Sequence, residues 1–118
     1  MKRLPITELT NADGLYGRAV VILATEEGSL RERLASAHHE AHLVHAVPCP
    51  PDRTPVPDDI AEAIWELNET MNQRPAAGDE GTTAATVQLM TDDGVRLAAQ
   101  ILIDIADRLS VASALANR

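Results

Sequence analysis

Thr91–Leu115 reads TDDGVRLAAQILIDIADRLSVASAL. Val95, Ala98, Leu102, Ile105, Leu109 and Ala112 recur every three or four residues along it, the period of one face of an α-helix. Thr91 can cap the start, so a helix is expected from near Asp92 to about Leu115. Its apolar arc is broad. Ile103, Val111 and Leu115 fall outside the main stripe, as in a central or a dimer-forming helix. One reading competes: Thr86-Val-Gln-Leu-Met, then Thr91-Asp-Asp-Gly, then Val95-Arg-Leu would also suit a hairpin around a turn. The helical period sustained downstream favours two helices, the shorter one capped by Thr82 or Thr83 and ending at Met90.

Working back along the chain, Ala76–Gly81 is a polar loop and Pro75 ends the helix before it. That helix opens at Asp58 and Asp59, where acids suit the positive end of the helix dipole. Its core stripe is Ile60, Ile64, Leu67 and Met71. Residues 47–57 hold five prolines and exclude a helix or central strand, so they form an extended, polyproline-II-like connector. Before it, Ser29 and Glu32 make a capping box for a helix from Leu30 to about Ala46, with Leu30, Leu34, Ala37, Ala41 and Val44 inward.

The segment from Leu15 to Thr25 has two readings. Leu15, Ala19, Ile22 and Leu23 share one side of a helix, whereas the β-branched cluster at 18–24 would suit a short buried strand. Helix is favoured. Residues 1–9 are a leader without clear periodicity, and a weak helix-start signal follows at Thr10–Asp13.

The composition agrees with a mainly α fold. Nineteen alanines and thirteen leucines stand against one tryptophan, one tyrosine and no phenylalanine. Such a core suits closely packed helices, because short aliphatic residues supply the volume and are the best helix formers. The expectation is a single domain over 1–118, a small bundle of four to five helices, with α+β carrying a strand at 18–24 as the alternative. Small core residues make a lone domain of this size marginal, so a homo-oligomer is a reasonable expectation.

The formal charge is −8. Residues 58–107 carry eleven acids but only two bases, Arg74 and Arg96. That distribution argues against direct binding to nucleic acid, which needs a basic stripe, and permits a basic protein partner. No apolar run is long enough for a signal peptide or a membrane span. A single cysteine, Cys49, excludes an internal disulfide framework and fits a reducing, cytoplasmic setting.

Two clusters carry what chemistry the sequence offers. Trp65 lies well off the core stripe of its helix, among Glu62, Glu69 and Ala61, and Asp58, Asp59, Glu62, Glu66 and Glu69 occupy the face opposite the stripe. No cation stands at i, i+4 to pair them. A tryptophan beside an acidic face needs cover, from another part of the chain or from a partner. Trp65, Glu62, Glu66, Glu69 and Asp58 are therefore the candidate partner-binding set. The second cluster is His38, His42 and His45, which a continuous helix would place on one strip with Arg31. Two histidines at i, i+4 can chelate a transition metal, and Cys49 could add a soft ligand. The nearby arginine opposes it, and His39-Glu-Ala-His42 is too short for the metalloprotease motif.

Glycine-rich phosphate loops and nucleophile elbows are missing from the sequence. The leading expectation is a small non-enzymatic interaction or regulatory module with no cofactor. The alternatives are a His-cluster metal-binding protein or small enzyme, and an acidic inhibitor that imitates a phosphate row.

Overall fold

In the computed structural model, residues 3–72 and 82–117 are described, with the main chain alone at 82–85. Five α-helices follow one another: α1 Leu9–Thr25, α2 Leu30–Ala41, α3 Asp58–Met71, α4 Thr82–Leu89 and α5 Asp92–Ala116. A 3₁₀ turn, His42–His45, extends α2. No strand appears among the described residues, and the protein is a small all-α bundle. The loop expected at 76–81 and the cap expected from Thr82 or Thr83 lie outside what is described.

The long helix α5 is the spine. One of its faces packs against α1, α2 and α3, burying Val95, Ala98, Ala99, Leu102, Ile105 and Leu109. Thr91 caps it by accepting the Gly94 N–H at 3.0 Å. The Thr91–Gly94 stretch that resembled a hairpin turn is thus a helix start, and the hairpin reading falls.

The strand at 18–24 falls as well. Ala12, Leu15, Tyr16, Ala19 and Leu23 are buried, which is a helical repeat and not an alternating one. Packing against α2 and α5 overrides the local β-branched preference at Val20–Ile22. The helix also begins earlier than the expected signal, at Leu9. No side chain caps it; the Leu9 N–H instead donates to the Thr54 carbonyl at 2.9 Å. A tertiary backbone contact does the work of a local cap.

The α1–α2 connection turns at Gly28, whose φ of +110° is strained for any residue with a Cβ. Ser29 and Glu32 then close the expected capping box. Arg33 donates to the Leu23 carbonyl at 2.7 Å, and Arg18 pairs with Glu40 at 2.8 Å, so both helices are tied along the hairpin.

α2 ends at Ala41, five residues short of the expected Ala46, because the chain tightens there into the 3₁₀ turn. The leader is more ordered than its composition implies. Thr7 N–H donates to the Val44 carbonyl at 2.8 Å and Cys49 N–H to the Ile6 carbonyl at 3.1 Å, while Glu8 forms an isolated bridge with Pro55. The connector is not a uniform polyproline rod, since Arg53 N–H closes a turn onto the Pro50 carbonyl at 3.1 Å.

Candidate interaction surface

α3 positions the first site. Ile60, Ala61, Ile64, Leu67 and Met71 are buried, which turns Glu62, Glu66 and Glu69 outward and leaves Trp65 at the edge of the core. The leader then crosses this outer face. Trp65 Nε1–H donates to the Leu4 carbonyl at 2.7 Å, and the Arg3 guanidinium lies 4.6 Å from the centroid of the indole ring. The same guanidinium forks onto both Glu62 oxygens, at 2.7 and 2.5 Å.

Trp65 is therefore half-buried beneath its own chain. The two hydrogen bonds from Arg3 hold the Glu62 carboxyl below its usual range, and Glu62 in turn favours the charged Arg3, with weaker attraction from Glu69 and Glu66. Asp59 is met by Arg108 of α5 at 2.8 Å, and that hydrogen bond lowers its pKa. Both cations come from far along the sequence, so an i, i+4 search could not find them. Asp58, Glu66 and Glu69 have no ion pair among the described residues. Of the partner-binding set, the structure gathers Glu62, Trp65, Glu66 and Glu69 along one face, with Asp58 at the head of the helix.

The histidines lie at the end of α2 and in the 3₁₀ turn. The rings of His38 and His42 are 5.9 Å apart and those of His42 and His45 5.2 Å apart, centroid to centroid. Their environments differ sharply. His38 is 2% exposed, and burial, with repulsion from the other three histidines, pushes its pKa down to about 3. His42 is exposed and its Nδ1 meets Asn68 Oδ1 at 2.9 Å. His45 Nδ1 meets the Pro5 carbonyl at 2.7 Å, which requires the proton on Nδ1. Burial lowers the His45 pKa, and the Pro5 hydrogen bond opposes that.

Arg31 stands two turns before His38 on α2, but its side chain leaves the histidine strip. It reaches across to α4 and α5, donating to the carbonyls of Val87 and, at 2.6 Å, Met90, and pairing with Asp92 at 2.9 Å. The Cys49 thiol turns to the carbonyls of Pro50 and Arg53. Among the described residues, no three His, Cys, Asp or Glu side chains are gathered to hold a metal ion.

The chain matches no known family model, no curated protein and no solved structure.

Proposed function

We propose that this chain is a non-catalytic interaction module that receives an arginine-bearing protein segment on the outer face of α3. One observation carries the reading: the way Arg3 and Leu4 already sit there. A guanidinium stacks on an indole, forks onto a carboxylate, and its neighbour's carbonyl takes the indole N–H. Those are the contacts by which an extended basic segment is recognised, combining cation–π stacking with bidentate pairing.

The leader occupies one such position, at Trp65 and Glu62. Glu66 and Glu69 continue the face and are the acids open to a partner's cations, with Asp58 at the helix head. The net charge of −8 would steer a basic partner towards this surface.

The test is a titration of the full chain with an arginine-rich peptide and with its glutamine-substituted counterpart, read by emission from the single tryptophan. Saturable binding of the basic peptide alone, weakened at least tenfold by Glu66→Lys with Glu69→Lys, is expected. Equal response to both peptides, or binding untouched by the double reversal, would rule the reading out.

A further inference from the structure

The buried face of α5 accounts for only part of its apolar residues. Leu97, Ile101, Val111 and Leu115 are exposed, with Leu97 at 58% and Leu115 at 56%. Together with Asp104 and Arg108 they form the series 97, 101, 104, 108, 111, 115, whose steps alternate four and three. That is the seam spacing of a coiled coil, and it follows a strip of α5 separate from the residues packed in the bundle.

The order within the strip is symmetric about its middle. Two leucines stand at the ends, two β-branched residues inside them, and one acid and one base at the centre. A two-fold axis beside the midpoint of the helix therefore sets Leu97 against Leu115 of a second copy, Ile101 against Val111, and Asp104 against Arg108. Each pair occurs twice. A parallel arrangement would instead set Asp104 against Asp104 and Arg108 against Arg108, at a cost in like-charge repulsion.

We propose that this strip is a homodimer interface in which two α5 helices pack antiparallel, and that Asp104 and Arg108 set the direction and register. Within one copy, Arg108 is anchored by Asp59 at 2.8 Å but lies 3.9 Å from Asp104. Asp104 thus keeps a carboxylate largely open to a second guanidinium. Beside the strip, a groove of about 350 Å³ opens at the junction of α3 and α5, apolar along Ile60, Val111 and Leu115 and charged at Asp59, Asp107 and Arg108. It lies where Leu97 of the second copy would arrive.

The strip is about 27 Å long at 1.5 Å per residue. One helix face of that length buries less than the ~800 Å² per partner of a standard stable interface, which places it with the small, transient contacts, and association in the micromolar range or weaker is the expected outcome. The strip itself, on α5, shares no residue with Glu62, Trp65, Glu66 and Glu69 of the basic-segment surface, so Leu97→Glu and the Glu66/Glu69 reversal test the two separately.

Sedimentation equilibrium of the full chain from about 10 μM to about 1 mM tests it, the span over which such affinities are resolved. The mass should climb from 12.7 kDa towards twice that value. Leu97→Glu, at an exposed site, should weaken association at least tenfold with unchanged helical circular dichroism. Asp104→Arg and Arg108→Asp should each weaken self-association, and an equimolar mixture of the two chains should restore it. A mass of 12.7 kDa throughout overturns the interface. So does a dimer indifferent to Leu97→Glu, and a mixture that fails to recover overturns the antiparallel register.

Discussion

Arg3 covers Trp65, with the guanidinium carbon 4.6 Å from the ring centroid. The cover comes from a leader that carries no periodic signal, and it is held at its other side by Glu62. Arg3→Ala should uncover the indole. Emission should move to longer wavelength and acrylamide quenching should rise, without loss of helical signal. An unchanged spectrum would mean that the leader does not rest on the ring in solution.

His38 makes stability depend on pH. Folded, its pKa is about 3; unfolded, it returns to about 6.5. Above pH 6.5 neither state is protonated, and the group is neutral in the balance. Below it the unfolded chain takes up a proton that the buried ring refuses, so stability falls as the solution is acidified. At pH 5 that loss amounts to about 2 kcal/mol, from 1.36 kcal/mol per pH unit. Urea unfolding at pH 7.5 and pH 5 should show it, and His38→Gln should reduce the difference, leaving the part that the lowered pKa of His45 adds in the same direction. The lowered pKa values of Asp59 and Glu62 act in the same direction, but only below about pH 4.5, where unfolded carboxyls protonate.

The two faces of α5 should respond differently to truncation. Leu102 is fully buried, so Leu102→Ala should cost roughly 2–5 kcal/mol. Leu97→Ala, at 58% exposure, should stay within about 0.5 kcal/mol in dilute solution. Chemical denaturation of both variants checks the contrast. Similar losses would mean that the inner and outer strips have been misassigned.

Gly28 offers a local test of the α1–α2 turn. A Cβ there would stand 3.2 Å from Glu32 Oε2 with φ at +110°. Gly28→Ala should therefore destabilise by about 1–2 kcal/mol. Ser29→Ala, which deletes the capping box, should cost about 1 kcal/mol. Thermal melts that leave either variant as stable as the parent would contradict the turn geometry.

Arg31 joins three helices through single side-chain contacts, so its removal should act at a distance. In Arg31→Ala, the amides at the end of α4 and in the first turn of α5 should exchange hydrogen faster, while α1 keeps its protection. Uniform exchange across the bundle would show that Arg31 is not the local fastener.

Much of the helix plan was legible because Leu, Ile, Val and Ala recur at helical spacing and because Ser29 and Thr91 announce two starts. What escaped the sequence was set by contacts across long separations. Leu9 begins a helix because Thr54 supplies an acceptor. His42 leaves α-geometry where the leader meets the chain. The cations at Glu62 and Asp59 come from Arg3 and Arg108. Local periodicity holds no record of such pairings. The same limit explains Arg31, which an extended helix put beside the histidines and the fold sends to α4 and α5.

The threading of residues 5–9 between the 3₁₀ turn and the connector has a temporal meaning during synthesis. α1 and α2 can pair once they emerge, but the backbone partners of Leu9 and Glu8 arrive only with Thr54 and Pro55, and the indole that Leu4 accepts from comes ten residues later. Until then residues 4–9 wait with open donors and acceptors. The leader is thus held only once α3 has been made, and α1 meets its α5 partner later still.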